Sequence, residues 1–315
     1  MGELRMAEVV VTVFGGSGFL GRYVVRRLAA SGAAVRAAVR DPEAAMFLKP
    51  MGGVGQISLV QANLRDQGSV EAAVAGASAV VNLVGIATEH RKQRFDAVHT
   101  LGAERVAKVA AAGGARHLVH VSAMGADQAS PSVYARTKAA GEKRVREAFP
   151  SSTILRPSVV FGFGDEFFNR FAILARFKPG PPLIGGGNGP RMQPVYAGDV
   201  ADAVVAVLAR VDARGKVYEL GGPEVVTLRE ILELVIRESG RRRFVLPLPW
   251  WVGSLAAAAS AIFPLPPALR VTFDQLRQLR IDNVADQGSQ GLAELGVPPT
   301  PMAAIMPEML ARFRL

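Results

Sequence analysis

Gly15-Gly16-Ser17-Gly18-Phe19-Leu20-Gly21 follows the apolar stretch Val9 to Phe14 and precedes a segment with helical periodicity. A glycine-rich turn between a strand and a helix predicts a dinucleotide site. Gly15 permits the tight turn off the strand, Gly18 lets backbone come close to a pyrophosphate, and Gly21 lets the helix pack where a side chain would collide. The helix N-terminus points its unpaired N–H groups at the anion, so Ser17, Phe19 and Leu20 join the glycines as candidate cofactor contacts.

Outward from this turn, apolar runs of strand length recur at Val9 to Phe14, Ala33 to Val39, Ile57 to Gln61, Ala79 to Val84, His117 to Val121 and Thr153 to Leu155. Helix-like segments separate them. Strands that are continuously apolar rather than alternating imply a parallel sheet covered on both faces. The fold class is therefore α/β: a Rossmann-type doubly wound parallel sheet with a smaller C-terminal lobe. Residues 1–160 are read as the NAD(P)-binding domain, with elements at about 195–222 returning to it, and 161–315 as an interaction or substrate-type lobe. Asp199 is read as the N-cap of a helix Val200 to Arg210, Val217 to Leu220 as a strand, and Thr227-Leu228-Arg229-Glu230 as a capping box. Pro247 and Pro264 mark a change of character further on.

The chain has 315 residues, 37 Lys and Arg against 27 Asp and Glu, and a net charge of +10. This balance favours anionic partners: nucleotide phosphates, an acidic protein surface or anionic lipid. The basic residues are scattered, and neither a stacking platform nor a helix-turn-helix is visible, so no nucleic-acid partner is expected. There are no cysteines, which excludes disulfides, thiolate catalysis and iron–sulfur ligation; no metal site is expected. With the first strand beginning near Val9, there is no room for a signal or transit peptide, and a bacterial cytoplasmic site or the cytoplasmic membrane face is expected.

Arg40 stands at the end of the second strand, where a dinucleotide fold meets the adenosine ribose. A carboxylate there would accept from a 2′-hydroxyl and repel a 2′-phosphate; a guanidinium reverses the preference. NADPH is thus expected rather than NADH. Asn63, after the third strand, is placed to reach the adenine edge, while Val84 and Gly85 end the fourth strand where backbone passes close to the cofactor. Ser122, after the fifth strand, is followed by Tyr134 and Lys138, which share one face of a helix. A phenol of pKa ~10 works poorly at neutral pH, and a nearby ammonium is expected to lower it. With Ser122 orienting a carbonyl, the trio suffices for acid–base assistance of hydride transfer.

The glycine turn, Arg40, Ser122, Tyr134, Lys138 and the segment Leu155-Arg156-Pro157-Ser158-Val159-Val160-Phe161-Gly162 resemble the extended and atypical short-chain dehydrogenase/reductases. The resemblance implies that Pro157, Ser158 and Val159 contact the cofactor. One departure is His99, at a place where active members carry an asparagine that supports proton relay. Leu48-Lys49-Pro50-Met51-Gly52, Val81-Asn82-Leu83-Val84-Gly85, Gly141-Glu142-Lys143, Phe149-Pro150 and Gln193-Pro194-Val195-Tyr196 further resemble the nucleotide-binding accessory subunit family of respiratory complex I, the alpha-subcomplex subunit 9 family. That resemblance implies a tightly held, structural NADPH, partner subunits of complex I, and a place on the peripheral arm near the membrane and quinone region. Turnover would then be absent and the catalytic trio vestigial.

Trp250 to Phe263 is apolar or small throughout, with Trp251, Leu255, Ala258 and Ile262 on one helical stripe. At ~1.5 Å per residue it is too short for a hydrocarbon core of ~30 Å. Arg241, Arg242, Arg243 and Arg270 flank it, which suits a peripheral contact with anionic lipid. The alternative is a soluble NADPH-dependent reductase or epimerase of the short-chain class that uses Ser122, Tyr134 and Lys138, with this segment as a buried lobe helix.

Overall fold

The computed structural model describes residues 9–263 and 266–314; Pro264 lies outside the described residues. In chain order the elements begin with β1 Val10–Phe14, α1 Phe19–Ala30, β2 Ala34–Val39, β3 Ile57–Gln61, α2 Gln67–Val74, β4 Ala79–Asn82, α3 Leu101–Ala112, β5 His117–Val121, α4 Val133–Ala148 and β6 Thr153–Pro157. Then come β7 Val160–Phe161, α5 Phe167–Leu174, β8 Pro182–Ile184, β9 Arg191–Met192, β10 Val195–Tyr196, α6 Ala197–Ala209 and β11 Val217–Leu220. The last part holds β12 Val226–Thr227, α7 Leu228–Glu238, β13 Leu246–Leu248, α8 Trp250–Ile262, α9 Phe273–Gln278 and α10 Met302–Met309.

Two compact units emerge. The first comprises the chain up to Pro157, Ala197–Leu220 and Gln287–Pro298; the second comprises Ser158–Tyr196, Gly221–Asp286 and Pro299–Leu315. In the first, seven strands pair in parallel in the order β11-β6-β5-β4-β1-β2-β3. The order reverses at β1, whose neighbours are β2 and β4, and a doubly wound sheet opens a ligand crevice at the carboxyl ends beside such a reversal. The apolar runs are continuous because both faces are covered. Phe14, Val80, Leu118 and Ile154 share one cluster with Val70, Val106, Ala110 and Val145 of the covering helices. Gln287–Pro298 belongs here because the Gln290 carbonyl accepts from the Glu219 N–H at 2.8 Å and the Glu294 carbonyl from Arg210 Nη1 at 2.7 Å.

The second unit has its own core of Phe161, Phe168, Leu183, Leu228, Ile231, Val235, Met302 and Met306, among others. Its strands form three two-stranded pairs, β7 with β10, β9 with β12 and β8 with β13. α7 shows why it forms: Leu228, Ile231, Leu232, Val235 and Ile236 recur at helical spacing and are buried, and Thr227 opens it with the expected capping box to Glu230.

Two local expectations are corrected. The fourth strand stops at Asn82, not Val84, because the Asn82 side-chain oxygen accepts the Val84 N–H at 3.1 Å as the chain leaves the ladder. Asp199 does not cap its helix. α6 starts at Ala197, directly after β10, which puts the buried Asp199 inside the first turn, where its charge still complements the helix dipole.

Candidate cofactor site

The candidate residues fall in spatial order along the carboxyl edge of the sheet: Asn63 after β3, Arg40 after β2, the glycine turn after β1, Val84 and Gly85 after β4, Ser122 after β5 and Pro157 ending β6. Gly15 takes φ +81°, a left-handed turn. A β-carbon on Gly21 would lie 2.1 Å from the Gly15 carbonyl oxygen and 2.6 Å from that of Gly16, so the first turn of α1 rests on the loop itself rather than on the strands. Gly18 caps α1 without a side chain, and its N–H folds back to the Gly15 carbonyl at 3.0 Å. The N–H groups of Phe19, Leu20 and Gly21, which head the helix, have no intrahelical acceptor. Such a cradle fits a diphosphate.

Arg40 is exposed one residue past β2, and its backbone carbonyl accepts from Gln61 Nε2 at 3.4 Å. The Asn63 side-chain oxygen accepts from the Arg65 N–H at 3.1 Å and Arg65 Nε at 3.3 Å, closing the turn that leads into α2. Val84 packs against Gly15, its Cγ2 being 3.2 Å from where a β-carbon there would stand. The same test at Gly85 meets Lys138 Nζ at 3.2 Å. This close approach brings α4 under the loop that leaves β4.

Ser122, just after β5, and Tyr134 and Lys138 on α4 all belong to the first unit. Ser122 is buried, its N–H bonds the Leu155 carbonyl at 2.8 Å, and its Oγ is a buried hydroxyl with no protein partner among the described residues. Lys138 is buried and donates to the Val121 carbonyl at 3.4 Å. The expected lowering of the Tyr134 phenol is overturned. Burial pushes it up to about 12, and the Lys138 Nζ lies 5.9 Å from the ring centre. The lysine moves instead: burial pulls it down to about 8, against the opposing pull of Glu142.

His99 is a clamp. It sits in a π-helical turn, Asp96–Thr100, before α3. Its Nε2 accepts from the Ile86 N–H at 3.1 Å, so the ring proton is on Nδ1, which donates to Thr137 Oγ1 at 3.1 Å. That hydroxyl donates to the Tyr134 carbonyl at 3.0 Å. The ring also stacks on Phe95 and meets the Tyr134 ring edge-on at 5.3 Å. Burial first, then the charge of Lys138, pulls its pKa to about 2, which keeps it neutral.

Three features had no counterpart in the sequence reading. Arg156 on β6 is held by Glu142 of α4 in two bonds and by Glu219 of β11 at 3.4 Å. Asn82 donates to His120 Nδ1 at 3.2 Å, and His120 Nε2 is buried with no partner among the described residues, on the strand that delivers Ser122. In the second unit, the Ser158 hydroxyl bonds the Asn283 side-chain oxygen at 2.5 Å and its carbonyl at 3.1 Å, so the side chain of Ser158 is already engaged. Pro157 is buried and Val159 half-buried.

The sequence profile of the NAD dependent epimerase/dehydratase family matches residues 11–221, the class that this sheet order and glycine turn define. The chain is 36% identical to NADH dehydrogenase (ubiquinone) 1 alpha subcomplex subunit 9 of Arabidopsis thaliana, over 99% of this chain and 80% of the plant protein. Its identity to the Mus musculus protein of the same name is 35%, over 99% and 82%. In structure it resembles an NADPH-dependent quinone oxidoreductase of Escherichia coli complexed with NADPH, with a TM-score of 0.72, 22% identity, and 96% and 99% of the two chains covered. The chain belongs to the NAD dependent epimerase/dehydratase family and, within it, to the family of NADH dehydrogenase (ubiquinone) 1 alpha subcomplex subunit 9. It has an NAD(P)-binding fold.

Proposed function

We propose that this protein is an NADPH-binding accessory subunit of respiratory complex I, with a structural or assembly role on the peripheral arm near the membrane and the quinone region, at the cytoplasmic face of a bacterial inner membrane. The observation that carries this reading is identity of 34–36% along 99% of the chain with curated proteins named as subunit 9. The cradle of Gly15, Ser17, Gly18, Phe19, Leu20 and Gly21 would hold the diphosphate, Arg40 the 2′-phosphate, Asn63 the adenine side, and Val84, Gly85, Pro157, Ser158 and Val159 the approach to the nicotinamide. A nicotinamide nucleotide supplies hydride chemistry when bound; here its principal effect is to stabilise the fold, by about 4 kcal/mol at a thousandfold excess over its dissociation constant.

A peripheral place is supported by α8, which exposes Trp251 (67%), Leu255 (63%) and Ile262 (75%) on one side while Gly253 and Ala257 are buried. No helix of the described residues is long and apolar enough to cross a membrane. Native purification tests the reading: the protein should co-purify with membrane NADH:quinone oxidoreductase. Recovery of all of it as a free form, with the oxidoreductase lacking it, would overturn the proposal.

The Ser122 hydroxyl, without a protein partner among the described residues and one position after the Val121 carbonyl that Lys138 bonds, favours one rival, an NADPH-dependent reductase or epimerase. Ser122 would orient a carbonyl and Tyr134, which burial keeps protonated, would be the proton donor. The rival requires NADPH oxidation with a candidate carbonyl that Tyr134→Phe abolishes; equal inactivity of wild type and variant removes it.

A further inference from the structure

Arg229, Arg237, Arg241 and Arg243 line a groove of about 500 Å³ in the second unit, together with Glu233, Ile236, Phe244 and Val245. Arg229, Glu233, Ile236 and Arg237 are one face of α7; the other wall is the segment that follows it. The groove belongs to the second unit, whereas the glycine turn, Ser122, Tyr134 and Lys138 belong to the first.

Four guanidinium groups face one carboxylate, and the carboxylate is not evenly shared. Arg229 reaches Glu233 at 3.8 Å, and Arg237 is paired with Glu238 at 3.2 Å. Arg241 and Arg243 have no carboxylate among the described residues: Arg241 Nη2 donates to the Phe313 carbonyl at 3.2 Å and Arg243 Nη1 to the Arg242 carbonyl at 2.9 Å. The Nε atoms of both are buried with no partner among the described residues. Arginine is charged at every physiological pH, and its planar fork is matched by phosphate oxygens taken in pairs. Two half-buried forks with no carboxylate partner among the described residues therefore suit an anion of that geometry. The same segment also supplies an apolar surface, with Phe244 76% exposed beside Val245, and the buried Ile236 lies on the α7 side.

We infer that this groove binds a phosphate-bearing ligand with an apolar body, its phosphate between Arg241 and Arg243 and its apolar part against Phe244. A phospholipid headgroup and a soluble phosphate ester share this chemistry. The inference does not depend on the proposed place in complex I.

The test uses the full chain with NADPH in excess, so that the glycine turn is filled, and inorganic pyrophosphate as probe. Saturable binding is expected, weakened about tenfold or more by Arg243→Gln and further by Arg241→Gln with Arg243→Gln. Arg243→Gln removes only a bond to a neighbouring carbonyl, and an unchanged melting temperature without pyrophosphate separates loss of the site from loss of the fold. Arg243→Lys, which keeps the charge without the fork, should fall between. Non-saturable binding, or equal binding by wild type and folded variants, overturns the inference. Vesicles of phosphatidylcholine with and without phosphatidylglycerol distinguish the sources: sedimentation that needs phosphatidylglycerol, is competed by pyrophosphate and is lost in the variants identifies a headgroup. Pyrophosphate binding without it identifies a soluble ester.

Discussion

Glu142 holds the guanidinium of Arg156 in two parallel bonds, Nε to Oε1 at 2.9 Å and Nη2 to Oε2 at 2.7 Å, and so ties α4 to β6 beneath the strand ends where the candidate site lies. Glu142 is buried and one-quarter of the Arg156 side chain is exposed. Removing one partner strands the other charge, whereas replacing both with apolar groups of similar volume is far less costly. Glu142→Gln should therefore destabilise the fold by about 3 kcal/mol, read by denaturant unfolding. Glu142→Leu with Arg156→Met and Glu219→Gln, which leaves no charge of the network behind, should recover most of that loss; a triple variant as unstable as the single would show that the network is not the source.

Gly21→Ala places a methyl group against two loop carbonyls, at distances that backbone alone can relieve. The turn has to open. Overpacking of this kind costs about 1–3 kcal/mol, and the displaced N–H groups should weaken NADPH binding as well. The thermal shift given by NADPH should shrink in the variant; an undiminished shift would remove the glycine turn from the cofactor site.

Arg40→Ala should weaken NADPH binding by about tenfold to a hundredfold, the worth of a charge-assisted bond to an anion, and leave NADH unaffected. Calorimetric titration with both nucleotides decides it. An equal loss for the two would refute the role given to Arg40.

His99, His117 and His120 are buried neutral, pulled down to about 2, 4 and 3, with burial the first cause in each. Their unfolded counterparts titrate near 6.5, so below that pH the unfolded chain binds more protons and stability falls as pH falls. Each histidine contributes about 1.4 kcal/mol per pH unit in that window. Asp165, pushed up to about 6 by burial, runs the other way, losing stability as pH rises. Three groups outweigh one. Denaturant midpoints should drop steadily from about pH 6.5 to about pH 5, and His99→Asn should reduce the slope; a flat profile would mean that the rings are protonated at little cost.

The sheet was legible because its signals are local. Continuous Val, Leu and Ala runs, a glycine turn after the first of them and a Tyr and Lys four apart each announce themselves within a dozen residues. The parts that were not legible join residues far apart in sequence: His99 with Thr137, 38 positions away, Arg156 with Glu219, 63 away, and Ser158 with Asn283, 125 away. Asp199 was misread because an aspartate at a helix cap and one inside the first turn leave the same trace, and only the direct run from β10 into α6 separates them. The lowered phenol failed for another reason. Spacing puts Lys138 on the right face of the helix but says nothing of the burial that governs both groups.

The seven-stranded unit is assembled from three separated stretches of chain, the last of them Gln287–Pro298. A premature stop anywhere upstream of that stretch would leave β11 without the Gln290 carbonyl and Arg210 without the Glu294 carbonyl. Neither unit can be cut out as one continuous fragment, so truncation from the C-terminal side removes part of both.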